Sequence, residues 1–360
     1  MPRVRSPLVL LAVAAVGVVV VGLLLVAGGP GPSVPTTTSV PTTTPMPSAT
    51  AIVTPEPPSQ SLIPTESPAP ETPQPPTDNG TPVPCGTFDP ACARMPVSGG
   101  GAVFTPEIPC GSLGQCTLKV DILYPRAAGP WPVVVAVPGG PAAPGIRSYL
   151  TDFAQLVAGQ GAVVFVADYR EAPEWGGGSP TTYQDIACAI RFARAHASEY
   201  GGDGKRVTLV AHSLGPFFAT TAALSGDSFE PQPGTCLTKG GSTKPDAYVG
   251  IAGIYSQAGV TSGFLDSFFG GSQSQAPAAW AAGDPFAVIR QTGANKIPVR
   301  LIHGELDGNV RPQSSRDFEL ALEAAGFDSQ LTVIPQADHG SVLEHRDTIR
   351  IVLETALALR

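Results

Sequence analysis

Leu209-Val210-Ala211-His212-Ser213-Leu214-Gly215-Pro216 is the stretch on which the fold turns. A β-prone apolar run, Val207-Thr208-Leu209-Val210, leads into it, and a helix-forming run from Phe217 to Leu224 leads out. A serine at such a strand–turn–helix junction fits the nucleophile elbow G-x-S-x-G, with Ala211 in the first Gly position. The turn needs small residues on both sides of the serine, because a bulky one collides with neighbouring backbone and buries the hydroxyl. Five-residue matches also arise by chance, and a serine at a helix N-terminus can simply cap it. The elbow gains weight only from what surrounds it in the chain.

Acyl-transfer sites of this architecture follow the serine with an acid and then a histidine. Downstream, Val299-Arg300-Leu301-Ile302-His303-Gly304-Glu305-Leu306-Asp307-Gly308 reads as a short strand ending in a carboxylate-bearing loop. Asp307, at the turn, is the candidate acid, with Glu305 in reserve. A further strand over Gln330–Pro335 ends in Gln336-Ala337-Asp338-His339-Gly340, which makes His339 the candidate base. The chemistry requires all three. A serine hydroxyl is a poor nucleophile at neutral pH, so an imidazole must take its proton, and a carboxylate must hold that imidazole in the right tautomer. The chain has five histidines, and of these only His339 sits in the loop just past the last strand, His345 starting the helix beyond it. His212 is expected to pack beneath the elbow.

Developing negative charge on the carbonyl oxygen also needs preorganised N–H donors. Leu214, just after the serine, supplies one. The strand Pro132–Val137 runs into Pro138-Gly139-Gly140-Pro141, a loop placed to supply the other. Pro141 has no N–H, so Gly140 is the expected donor and Gly139 its reserve.

The segment from about Cys116 to Arg360 resembles the α/β-hydrolase superfamily, and within it the esterase/lipase branch related to hormone-sensitive lipase. Asp168-Tyr169-Arg170-Glu171-Ala172-Pro173-Glu174 is similar to that branch's D-Y-R-L-A-P-E stretch, and Tyr200-Gly201-Gly202-Asp203 also fits. The branch usually carries His-Gly-Gly-Gly where this chain has Pro138-Gly139-Gly140-Pro141, so dienelactone-hydrolase-like and polyester-hydrolase-like relatives stay open. The resemblance implies a mostly parallel central sheet with helices on both faces and a serine carboxylic-ester hydrolase needing no cofactor.

Element spacing points the same way. Strands over Thr117–Tyr124, Ala162–Asp168 and Ala247–Ile254 alternate with helices over Ser148–Gly159, Thr181–Ser198, Gln313–Ala325 and about His345–Leu359. Alternation of this kind gives an α/β sheet with ligands at the carboxyl ends of its strands. Two insertions flank the site. One is Ser225–Lys244. The other, Tyr255–Lys296, carries Phe264, Phe268, Phe269, Trp280 and Phe286 and is expected to form a small cap.

The N-terminal third differs in kind. After Arg3 and Arg5, residues Pro7–Ala27 carry no charge. As a helix they would span roughly 32 Å, close to a bilayer core. Residues 1–27 are therefore expected to be a signal anchor, with the basic tip in the cytoplasm and the remainder outside. A cleaved secretory signal is the alternative. Residues 28–84 hold 17 prolines in 57 residues, with no aromatic residue and no Lys or Arg. Such a segment cannot bury enough apolar surface to fold, and is expected to be a disordered stalk.

Residues 85–360 form the expected catalytic domain, long enough for one full core. All six cysteines lie there. An even count in an exported chain argues for disulfides. Fifteen pairings exist, and sequence spacing favours Cys85–Cys92, Cys110–Cys116 and Cys188–Cys236. The net charge of −8 and the lack of any basic run argue against nucleic acid as a partner. The expected partners are an ester substrate and, through the N-terminal helix, a membrane. Two rival readings stand beside it: a serine peptidase of the prolyl-oligopeptidase kind, which uses the same triad and fold, and an inactive tethered binding module.

Overall fold

The structure is a computed structural model and describes residues 95–359 apart from 141–145, 172 and 228. The expected membrane helix, the stalk and the Cys85–Cys92 pair lie outside the described residues. Among the described residues, no helix is long and apolar enough to cross a membrane.

The described residues hold ten strands: β1 (Val97–Val103), β2 (Ile108–Pro109), β3 (Gln115–Cys116), β4 (Lys119–Pro125), β5 (Trp131–Val137), β6 (Val163–Ala167), β7 (Gly202–His212), β8 (Ala247–Ile251), β9 (Val299–Gly304) and β10 (Ser329–Ile334). The α-helices are α1 (Thr151–Gly159), α2 (Thr181–His196), α3 (Gly215–Leu224), α4 (Ser262–Phe269), α5 (Pro277–Ala282), α6 (Pro285–Val288), α7 (Gln313–Ala324), α8 (Ser341–Glu344) and α9 (Arg346–Leu357). Eight strands make one sheet in the order β1-β4-β6-β5-β7-β8-β9-β10. The six strands from β6 to β10 run parallel, and β4 is antiparallel to both of its neighbours.

The side-chain alternation of a strand builds two cores. In β5, Val133, Val135 and Val137 point into one apolar cluster, while Val134 and Ala136 point into the other. Strand β6 repeats this, with Val163, Phe165 and Ala167 on one side and Val164 and Val166 on the other. Helices α2 and α3 cover the first face, and α1 and α9 cover the second. A strand buried on both faces has no polar side, which is why β5 reads as an unbroken apolar run. Each valine so buried contributes about 1.5–3 kcal/mol of transfer free energy.

Several expected boundaries shift for local reasons. The helix expected over Ser148–Gly159 begins as a 3-10 turn, Ile146–Leu150, before α1. The strand expected over Ala247–Ile254 stops at Ile251, because Ala252 takes φ 48° and turns the chain. The last helix is α9, which stops at Leu357 and is preceded by the short α8, with His345 capping α9 by accepting the Asp347 N–H at Nδ1. The Tyr255–Lys296 insertion forms α4, α5 and α6. Its Phe268, Phe269 and Trp280 are buried in the first core, so much of the insertion extends that core. Two disulfides, Cys110–Cys116 and Cys188–Cys236, are present, and the second ties the Ser225–Lys244 loop to α2.

The first described residues lie at the amino ends of the parallel strands. Val97 of β1 pairs with Pro125 of β4, beyond the Leu123–Val164 pair that marks the start of β6. The Met95 N–H donates to the carbonyl of Gly159, at the end of α1. The loops after β5, β7, β9 and β10 gather at the opposite, carboxyl end.

Candidate active site

Strand β7 delivers Ser213 at φ 63°, a left-handed conformation uncommon for a residue with a Cβ. Hydrogen bonds on both sides hold that strain. The Ser213 N–H donates to Ile251 O, and the Ile254 N–H donates to Ser213 O. The next turn needs Gly215, since a Cβ there would lie 2.5 Å from the carbonyl oxygen of Pro138. Ala211, by contrast, sits buried without difficulty.

The three side chains expected from their order in the chain meet here. Ser213 Oγ lies 2.9 Å from His339 Nε2, and His339 Nδ1 lies 2.8 Å from Asp307 Oδ2. A carboxylate can only accept, so His339 carries its proton on Nδ1 and its Nε2 accepts from the serine hydroxyl. The Asp307 side chain is fully buried. Its Oδ1 accepts from the backbone N–H groups of Asn309 and Val310, both at 2.9 Å. Glu305, the reserve acid, is exposed and accepts from the Gln336 N–H instead.

A second histidine, His303, rests against the acid. Its Nε2 lies 2.8 Å from Val310 O and 3.2 Å from Asp307 Oδ2, and its Nδ1 lies 2.7 Å from Ser315 Oγ. Both Nε2 neighbours are acceptors, so Nε2 carries the proton. Burial, the largest influence, lowers the pKa of His303. Nothing in the sequence marked His303 for this place, apart from its position at the end of an apolar strand.

The N–H groups of Leu214 and Gly140 have no other protein acceptor among the described residues. Both residues line the cavity onto which Ser213 faces. A Cβ built on Gly139 would lie 2.5 Å from Ser213 Cβ and 2.7 Å from Leu214 N. Gly139 itself is unavailable as a donor, since its N–H is held at 2.9 Å by the hydroxyl of Tyr149. Helix α3 begins beside this point, and its positive end favours an anion there.

Ser213, Leu214, Gly140 and His339 open onto a cavity of about 630 Å³, walled by Ile254, Val260, Phe264 and Val310. A second cavity of about 380 Å³ shares Ile254, Gly259, Asn309 and Val310 with it, and adds the polar Ser256, Arg311, Ser314 and Asp317. The remaining histidines do other work: His196 pairs with Glu199, and His212 packs against the His339 ring.

Known proteins resemble this chain in the same region. The BD-FAE family model matches residues 120–322. The chain is 30% identical to Esterase LipC of Mycobacterium tuberculosis over 225 residues, covering 59% of this chain and 53% of that one. Esterase LipQ of the same organism is 27% identical, covering 70% and 61%. The probable isoprenylcysteine alpha-carbonyl methylesterase ICMEL1 of Arabidopsis thaliana is 25% identical, covering 61% and 48%. The chain thus spans about half the length of LipC and ICMEL1. Among solved structures, a Thermogutta terrifontis esterase bound to propionate superposes with a TM-score of 0.55 at 22% identity, covering 75% of this chain and 96% of that one. At such identity the likeness speaks for the α/β-hydrolase fold.

Proposed function

The chain belongs to the BD-FAE family of α/β-hydrolase esterases, and from that premise we propose that it is a serine carboxylic-ester hydrolase. One observation carries the proposal. The hydrogen-bonded chain Ser213–His339–Asp307 brings Ser213 and His339 to the wall of a cavity that Leu214 and Gly140 also line. Ser213 Oγ attacks the ester carbonyl as His339 Nε2 takes its proton. Asp307 holds the imidazolium, and the two N–H groups receive the oxyanion. His339 then protonates the departing alcohol, an acyl-enzyme forms on Ser213, and water activated by His339 releases the acid. The apolar wall of Ile254, Val260 and Phe264 suits a small apolar acyl group.

We further propose that the enzyme works outside the cytoplasm, tethered through residues 1–27 with the stalk 28–84 as spacer. The uncharged Pro7–Ala27 run, the basic residues before it and the two disulfides support this. Protease added to intact cells should release the catalytic domain.

A fluorophosphonate probe tests the chemistry. The folded wild-type domain is expected to be labelled, and Ser213→Ala to lose both labelling and esterase activity. A folded wild-type domain that resists labelling overturns the proposal. A panel of p-nitrophenyl esters beside proline-containing amides separates esterase from peptidase.

A further inference from the structure

The Pro138–Gly139 peptide is gripped on both of its polar atoms. The buried Tyr169 hydroxyl donates to the carbonyl of Pro138 at 2.7 Å. On the other side the Gly139 N–H donates to the hydroxyl of Tyr149 at 2.9 Å. A peptide is planar, so fixing both atoms fixes that plane, and with it the Gly139 Cα from which the peptide carrying the Gly140 N–H departs.

Tyr149 passes the connection on. Its hydroxyl lies 2.7 Å from His212 Nδ1, and His212 Nε2 lies 2.9 Å from the backbone carbonyl of His339. The donors can be assigned without ambiguity. The His339 carbonyl accepts only, so His212 carries its proton on Nε2. Its Nδ1 therefore accepts, and Tyr149 donates to it while accepting from Gly139. Burial keeps His212 neutral, lowering its pKa to about 3, and keeps both tyrosine hydroxyls protonated. One directed run of hydrogen bonds joins the oxyanion loop after β5, the elbow after β7 and the base loop after β10: Gly139 N–H to Tyr149, Tyr149 O–H to His212, His212 N–H to His339 C=O.

We propose that Tyr149, Tyr169 and His212 are positioning residues that keep the Gly140 N–H and the His339 imidazole in register around the carbonyl that Ser213 attacks. The proposal rests on the triad reading given above. None of the three touches the reacting atoms. They set where those atoms stand. The chain has Pro138 and Pro141 around its two loop glycines, so the loop's own backbone offers few N–H groups to hold it. The tyrosines supply that hold from outside the loop.

The frame is tested by steady-state kinetics on a p-nitrophenyl ester with Tyr149→Phe and Tyr169→Phe, each removing one hydroxyl from an otherwise unchanged ring. Removing an oxyanion donor outright costs about 10²–10³ in kcat, so loosening its support should cost roughly tenfold, with KM nearly unchanged. A trifluoromethyl ketone, which forms the tetrahedral adduct on serine, should bind weaker by a similar factor. His212→Asn keeps an acceptor near the Nδ1 position, whereas His212→Gln keeps a donor near the Nε2 position. Each breaks the run at one link, so combining either with Tyr149→Phe should cost little more than the worse single change. A merely structural role would lower thermal stability and active fraction while leaving kcat per active site and ketone affinity alone, and that outcome overturns the proposal. Should Tyr149→Phe fail to fold, Tyr169→Phe, which leaves the His212 links intact, carries the same test. Activity surviving in Ser213→Ala would instead undo the triad reading. An inactive Ser213→Ala beside tyrosine variants of wild-type kcat would undo only this one.

Discussion

Gly139→Ala adds one methyl group at the most crowded point of the site. The new Cβ would stand 2.5 Å from Ser213 Cβ, 2.6 Å from His212 O and 2.7 Å from Leu214 N. Carbon atoms in contact normally sit about 3.5–4.0 Å apart, so the loop must back away by about 1 Å or more. All three obstacles belong to the elbow, whose backbone is pinned on both sides of Ser213 by Ile251 and Ile254. The loop therefore moves, and it takes the Gly140 N–H away from the oxyanion. The expected loss is that of one oxyanion donor, about 10²–10³ in kcat or roughly 3–4 kcal/mol. KM should change little, because the ground-state carbonyl depends less on this contact than the tetrahedral one. The assay is initial-rate kinetics on p-nitrophenyl acetate, with circular dichroism to confirm the fold. Gly100→Ala, in β1, is the matched control, since a Cβ there meets nothing within 4 Å. If Gly139→Ala keeps kcat within about threefold of the wild type, the oxyanion hole is not where this geometry puts it.

Other changes have equally definite outcomes. In Asp307→Asn the amide oxygen must stay with the Asn309 and Val310 N–H groups, which turns the NH₂ toward His339 Nδ1 and forces the wrong tautomer. Stopped assays on this variant should show kcat down about 10⁴-fold with the fold retained. His212 and His303 both titrate lower folded than unfolded, so the unfolded chain binds more protons and stability falls as pH drops below about 6.5. His212 alone should account for about 2 kcal/mol of that loss by pH 5. Urea unfolding from pH 7 to pH 5 should show a shallower decline in His212→Gln, and an equal slope would contradict a neutral His212. Breaking Cys188–Cys236 frees a 48-residue connection and should cost about 4 kcal/mol on the loop-entropy model, read as a lowered midpoint in Cys188→Ala/Cys236→Ala.

How much of this could be read from the chain varied with the physical cause. Ser213, Asp307 and His339 were legible because each stands at the end of an apolar run and their order is fixed by topology. The choice between Asp307 and Glu305 was only partly so. Both lie in one loop, and what separates them is that one carboxylate is buried under two N–H groups while the other faces water. Strand β1 was missed: Val97-Ser98-Gly99-Gly100-Gly101-Ala102-Val103 has no strand-forming centre, and its pairing with β4 is what makes it a strand. The aromatic residues of the insertion were ambiguous for a related reason, since a Phe that fills a core and a Phe that lines a cavity look alike in sequence. Phe268 does the first and Phe264 the second. Tyr149 carries no motif at all. Its place follows from a short 3-10 turn that ends under the elbow, which spacing does not reveal.

Met95 lies beside the amino ends of the strands, while the cleft opens at their carboxyl ends. An enzyme held at residue 95 therefore presents its mouth away from whatever holds it. Coupled to a bead or a sensor surface through residue 95, it would keep its cleft clear for substrates too large or too insoluble to diffuse behind it.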